Sequence, residues 1–253
     1  VQKRIESPST TSVADVRAAA TPGAVIAVTA PPLPATADTA SSYPSQTACE
    51  HPYFPLRQGA TWAYSVDGFQ YTWVVNGVSG DLNSATAEVS MVFDSGAVNY
   101  IWTCTPEGVT YFQSGSVVTE GVTIANFVVS DQTGNSIPAA DRLTPDAAWA
   151  SGYTMQYTVQ GEGFSSDVTM VVSESNTVGE GQRLDTGAGS FDVIPVITNA
   201  SYTTTMTFGG TTTTTPSSSI YTTYFGYGVG MIRSDSNFNG VASTTELISY
   251  SIP

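Results

Sequence analysis

The chain has 253 residues and a formal net charge of −14, from 7 basic against 21 acidic side chains. That length suits one large β-domain or two small ones, and a hydrophobic content of 41% is adequate for a core. The acid excess repels phosphate backbones and argues against nucleic acid as a partner. No apolar run approaches the ~20 residues a membrane helix needs.

Residues 1–48 form an arm rich in Pro, Ala, Ser and Thr, with six prolines and Tyr43 as its only aromatic. Such a segment buries too little apolar surface to fold alone. The chain starts at Val1 without Met, so the expectation is that a targeting segment has been removed. One stretch of the arm reads as a strand: Ala24, Val25, Ile26, Ala27 and Val28, fenced by Pro22 and Pro31-Pro32. Proline cannot donate to a ladder, so the fences limit a donated strand to the residues between them.

At the root of the arm stand Cys49 and His51; the only other cysteine is Cys104. A cysteine pair in a Thr-rich chain almost without Lys suits an exported protein with one disulfide, the alternative being two buried free thiols. His51 is the only histidine, too few for a metal centre built on imidazole and thiolate.

From residue 61 the chain alternates with period two. Phe69, Tyr71, Trp73 and Val75 share one face; Ala85, Ala87, Val89, Met91 and Phe93 share another. Turn residues punctuate the runs at Asp67-Gly68, Asn76-Gly77, Ser79-Gly80-Asp81, Asp94-Ser95-Gly96 and Glu107-Gly108. Tyr153 to Val159, Val168 to Val172, Phe191 to Ile197, Tyr202 to Phe208, Ile220 to Phe225, Val229 to Arg233 and Glu246 to Ile252 continue the scheme. Thr211 to Thr215 reads as a polar hairpin tip, loop or edge strand, and Pro138 to Trp149 is the one helix-tolerant stretch. The pattern predicts an all-β, antiparallel protein with one wet face. Leu56-Arg57-Gln58-Gly59-Ala60-Thr61-Trp62 aligns with Leu143-Thr144-Pro145-Asp146-Ala147-Ala148-Trp149. That repeat predicts two related β-halves, 49–140 and 141–253, behind the 1–48 arm.

Three stretches carry a family resemblance: Tyr53-Phe54-Pro55-Leu56 followed by Gly59 and Trp62-Ala63-Tyr64; Gly187-Ala188-Gly189-Ser190-Phe191-Asp192; and Gly228-Val229-Gly230-Met231-Ile232-Arg233 followed by Thr244-Thr245-Glu246-Leu247. In this order they resemble the exported or lipid-anchored bacterial β-proteins of the lipoprotein-localisation-factor-like superfamily, over about residues 53–252. The resemblance implies a strongly curved antiparallel sheet, or half-barrel, with an apolar groove on its concave face. In lipid-handling members a helix plugs that groove, and this sequence offers none.

Chemistry-bearing motifs are few. Asp235, Asn237, Asn239, Gly240 and Glu246 fit the spacing of a twelve-residue calcium loop; the same residues also fit a hairpin turn. Calcium is the one cofactor the sequence suggests. No nucleophile motif, phosphate loop or paired base stands out, so no enzyme is expected. The aromatics Trp62, Tyr64, Tyr71, Trp73, Tyr100, Trp102 and Trp149 read as core or as a carbohydrate or lipid platform.

The leading functional expectation is a subunit of an extracellular homopolymer, a filament or surface fibre. In it, strand 24–28 docks on the open sheet edge of a neighbouring copy. The alternative is an exported monomer, free or tethered to membrane or wall, that binds a lipid or other apolar ligand in its groove.

Overall fold

Tight turns and alternating side chains fold the body into antiparallel strands. The computed structural model describes residues 46–94, 96–113, 117–119 and 122–253. The proposed donor strand Ala24–Val28 lies outside the described residues.

Strands β1 (Glu50–His51) and β2 (Phe54–Pro55) make a small hairpin. The other strands form one antiparallel sheet. They are β3 (Thr61–Val66), β4 (Phe69–Gly80), β5 (Ala85–Phe93), β6 (Gly96–Thr105), β7 (Gly108–Gln113), β8 (Val117–Thr119), β9 (Val122–Thr133), β10 (Ile137–Pro138), β11 (Ala148–Gly161), β12 (Phe164–Val178), β13 (Gln182–Thr186), β14 (Gly189–Phe208), β15 (Thr211–Gly226), β16 (Gly230–Phe238) and β17 (Val241–Ser251). Its order is β10-β7-β6-β5-β4-β3-β17-β16-β15-β14-β12-β11-β9-β8, with β13 paired to β14. The protein is therefore all-β, with one curved sheet. The helix-tolerant stretch supplies only a short 3-10 turn, Ala140–Arg142, before β11 begins.

The sheet curls until β8, near one end of the order, approaches β6, near the other. The chain itself spans the gap, passing from β9 on one side to β10 on the other within residues 133–137. Side chains of one parity thus face inward all the way round. Cross-strand pairs fix this set: Trp62↔Trp73, Tyr64↔Tyr71, Ala87↔Trp102 and Trp102↔Tyr111 on one wall, Tyr153↔Val172 and Val172↔Tyr202 on the other.

One end of this incomplete barrel is filled. The β1–β2 segment folds in, and Phe54 wedges among Trp62, Trp102 and Phe225 at centroid distances of 5.4, 4.9 and 6.5 Å. Cys49 and Cys104 are joined as a disulfide, tying the segment to β6. Trp62 donates its indole N–H to the Val229 carbonyl at 2.6 Å, and the Gly228 N–H donates to Pro52 O at 2.7 Å. Gly230 is held at φ +117°, where an added Cβ would lie 3.4 Å from the Phe54 ring, so glycine suits both the backbone and the close approach. Leu56, Val109, Ile137, Leu143, Val178 and Ile232 complete the core here. A short β-segment thus fills this end of the sheet.

The sequence repeat has a structural counterpart. The Gly59 N–H donates to Val75 O, the Ala60 N–H to Arg57 O, and the Val75 N–H to Ala60 O. The aligned residues repeat the pattern: Asp146 N–H to Val178 O, Ala147 N–H to Thr144 O, and Val178 N–H to Ala147 O. Gly59 and Asp146 both have positive φ, +85° and +65°. Strand pairing does not break at residue 140, because β9 pairs with β11 although it precedes that point.

One expected turn is absent. Asn76-Gly77 lies inside β4, where the register against β5 shifts between Val75 and Gly77. The extra residue makes a bulge, a use of Gly that local sequence does not separate from a turn. Thr211–Thr215 is strand rather than loop, paired along its length with β14.

Candidate functional site

On the inner face of β12, Ser166, Val168, Met170, Val172, Glu174, Asn176 and Val178 succeed one another by alternation. Along this face Ser166, Val168, Val172, Asn176 and Val178 are buried, while Met170 and Glu174 stay partly exposed. Met155, Tyr157, Met170, Glu174, Tyr202 and Tyr221 all remain partly exposed on inward-facing positions. A filled barrel would bury them. Tyr111, on the opposite wall, keeps 39% of its surface accessible, yet desolvation pushes its phenol far above the usual range.

Glu174 is the one acid on this inner face of β12. Its Oε1 accepts from the Tyr221 hydroxyl at 2.8 Å and its Oε2 from the Ser151 hydroxyl at 2.8 Å. Behind it, Asn176 donates to Ser151 Oγ at 3.3 Å and accepts from Thr198 Oγ1 at 2.7 Å. Asn176 and Thr198 are both buried, so this chain of bonds fixes the carboxylate from below. Tyr202 and Ser219 share a hydroxyl pair at 3.1 Å on the adjoining strands.

Three tyrosines sense the carboxylate. Tyr153 is pushed up to about 12, first by burial and then by the Glu174 charge. Burial and the same charge also raise Tyr111 and Tyr221. Tyr100 adds to the rise of both Tyr111 and Tyr153, and it shares the inward parity of Trp102 on β6. Trp102 stacks on Tyr111 at 4.4 Å, and its buried indole N–H has no hydrogen-bond partner among the described residues. Among the described residues no basic side chain forms a salt bridge with Glu174.

The residues singled out in the sequence fall elsewhere. Asp235, Asn237, Asn239 and Glu246 belong to the β16–β17 hairpin. Asn239 and Gly240, at φ +50° and +86°, form its two-residue turn, and Asn237 Oδ1 accepts from the Gly240 N–H at 2.9 Å. Asp235 and Glu246 share a sheet face with Arg233, which stands directly across from Glu246. Asp235 Oδ1 accepts from Arg233 Nε at 2.8 Å and from Thr244 Oγ1 at 2.9 Å. Glu246 Oε1 accepts from the Gly187 N–H at 3.3 Å. The two carboxylates are therefore already engaged by an arginine, a hydroxyl and a backbone amide. Among the described residues no cluster of three or more His, Cys, Asp or Glu side chains is arranged to hold a metal.

His51 is 6% exposed and structural in its contacts. Its Nε2 donates to the Pro138 carbonyl at 2.9 Å, while Nδ1 accepts from the Tyr53 N–H at 3.1 Å. Of the sequence-selected aromatics, Trp62, Tyr64 and Trp102 are core, whereas Tyr71, Trp73, Tyr100 and Trp149 are partly buried and packed against it. Glu174 gave no local signal, since a Glu in an alternating strand reads as solvent-facing. The alternation Val168, Met170, Val172, Glu174 does place it on the apolar side.

No protein-family model and no curated protein matches the sequence. Solved structures do. The chain is similar to a candidate lipoprotein of Parabacteroides distasonis, at 14% identity and a TM-score of 0.47, over 79% of this chain and 99% of that one. It is also similar to a candidate exported protein with a YmcC-like fold from Bacteroides fragilis, at 11% identity and a TM-score of 0.48, over 79% and 98%. A third similar structure is the hypothetical lipoprotein YmcC of Escherichia coli, at 8% identity and a TM-score of 0.34, over 83% and 91%.

Proposed function

We propose that this protein is an exported binding module, working as a monomer, that takes an apolar or amphipathic ligand into the hollow between its sheet walls. The observation that carries this is the part-exposed inner lining of Met155, Tyr157, Met170, Tyr202 and Tyr221, on positions whose parity points away from bulk solvent. Apolar and aromatic side chains left uncovered inside a sheet cost stability unless something fills the space. The Cys49–Cys104 bond supports export, since such bonds persist in oxidising compartments.

The polymer reading rests on the donor strand Ala24–Val28, outside the described residues. An incoming strand would need a free edge. Beyond its short pairing with β8, the edge of β9 carries two bulges, at Asn126 and Asp131 with φ +59° and +52°, and bulges twist an edge away from pairing. The hollow is therefore the reading we put first.

The test is fluorescence of N-phenyl-1-naphthylamine, a neutral apolar probe, with the full chain. The wild type is expected to enhance it saturably. Met170→Trp, which fills the space from β12, is expected to reduce the enhancement several-fold at unchanged melting temperature. No enhancement by the wild type would overturn the proposal.

A further inference from the structure

The exposed phenylalanines of this chain are not scattered. Among the described residues there are four, Phe69, Phe164, Phe208 and Phe238, from 38% to 66% exposed. Each directly flanks the two-residue turn of a hairpin: Asp67-Gly68, Glu162-Gly163, Gly209-Gly210 and Asn239-Gly240. Antiparallel order puts these turns, of β3–β4, β11–β12, β14–β15 and β16–β17, at the end opposite the β1–β2 segment. We propose that this rim of phenylalanines seats the protein on a zwitterionic lipid surface, from which an apolar or amphipathic ligand enters the hollow without crossing water. This rests on the binding reading above and names the surface from which its ligand comes.

Register places the rings on one face. Phe69 has the parity of Tyr71 and Trp73, and Phe164 that of Val168 and Met170. Phe208 has the parity of Tyr202, and Phe238 meets the Tyr202 ring at 6.3 Å. Phe164 and Phe208 meet at 6.4 Å. Phe93, half-buried, takes the matching place at the β5–β6 turn. All five stand on the inner face, which also lines the hollow.

The fold does not ask for phenylalanine beside a turn. At the filled end the turns are flanked by Gly80 and Ala85, by Thr105 and Gly108, and by Gly226 and Gly230. Phe164 has a structural duty, because its ring covers Gly161 across the pair. Phe69, Phe208 and Phe238 face Val66, Thr211 and Val241 instead, where no glycine needs cover. Exposed apolar groups gathered in one place mark a contact with protein or membrane. Rings on separate hairpin tips around a gap suit insertion between headgroups, whereas a protein partner packs on a continuous surface.

Charge selects the lipid. Asp67, Asp94 and Glu162 stand in the turns beside Phe69, Phe93 and Phe164. The arm is neutral by count, with Lys3, Arg4 and Arg17 against Glu6, Asp15 and Asp38, which leaves the body 4 arginines against 18 acids. An anionic bilayer repels such a surface. A zwitterionic one carries the ammonium of its headgroup outermost, which complements carboxylates beside inserted rings.

The experiment floats the full chain, at pH 7 and low salt, with vesicles of palmitoyl-oleoyl phosphatidylcholine or of the matching phosphatidylglycerol. Phosphatidylcholine is expected to carry several-fold more protein. Phe69→Ser combined with Phe238→Ser is expected to lower that yield several-fold at unchanged melting temperature. Leu82→Ser, at an equally exposed position of the filled end, is expected to leave it unchanged. The wild-type comparison needs no variant, so it decides even where the double variant fails to fold. Flotation with neither vesicle gives the rim to a protein partner and overturns the lipid surface. Equal flotation with both, or an equal loss in Leu82→Ser, overturns it too. In each case uptake of N-phenyl-1-naphthylamine without vesicles leaves the hollow standing. Flotation that needs the rim, with no uptake of the probe, overturns the hollow and keeps the docking.

Discussion

His51 makes two hydrogen bonds that only a neutral ring makes together, Nε2 donating to Pro138 O and Nδ1 accepting from Tyr53 N–H. Burial lowers its pKa below 6.5, the backbone carbonyl offsetting only part of that. The unfolded chain therefore binds the proton more readily. Stability from this residue is complete above about pH 6.5 and is lost as pH falls through the folded value. A melting-temperature profile is expected to decline from about pH 6.5 toward 5, and His51→Gln to flatten that limb. A profile identical in the two chains would refute the assignment. Trp62 is a second residue-scale case. Its indole N–H bonds to Val229 O at 2.6 Å in a fully buried site. Trp62→Phe keeps most of the ring but leaves that carbonyl unpaired, so a loss of about 1–3 kcal/mol is expected in denaturant titration.

At the scale of elements, the β1–β2 segment closes one end of the sheet. Phe54 is its anchor, 6% exposed among three aromatic rings. Phe54→Ala is expected to cost about 3–5 kcal/mol through loss of burial and the cavity left behind. The disulfide closes a separation of 55 residues, worth about 4 kcal/mol on the chain-entropy model. Dithiothreitol should lower the melting temperature by many degrees, whereas a shift of only a degree or two would show that packing alone holds the segment. The β16–β17 hairpin turns on Asn239-Gly240. Gly240→Ala places a side chain at φ +86° and is expected to cost about 1 kcal/mol.

For the whole molecule, the prediction concerns independence of the arm. Residues 44–253 form one compact unit. A chain beginning at Gln46 is expected to melt within about a degree of the full chain and to keep probe uptake. Light scattering of the full chain is expected to return a monomer. Fibres formed by the full chain and absent without residues 1–45 would instead restore the assembly reading of Ala24–Val28.

Sequence by itself determined the strand content and much of the inner face. Alternation depends on the strand's own period of two, so Tyr71, Trp73 and Tyr100, or Val168, Met170 and Val172, fall on one side before any neighbour is known. The repeat at residues 56–62 and 143–149 was legible for the same reason, because its turn and its buried Leu are local. The Asp-Gly and Asn-Gly turns at residues 67–68 and 239–240 followed from positive-φ chemistry. What local sequence could not decide was which elements meet. Asn76-Gly77 has the same dipeptide chemistry as a turn, and only pairing with β5 made it a bulge. The oxygen-rich residues Asp235 and Glu246 have calcium-loop spacing, yet strand pairing set Arg233 beside them. Glu174 meets Tyr221 only through the pairing of β12 with β14 and of β14 with β15, across 47 residues of chain. Periodicity is written in neighbouring residues, whereas a site made by two walls depends on curvature summed over the whole sheet, and no local pattern encodes that sum.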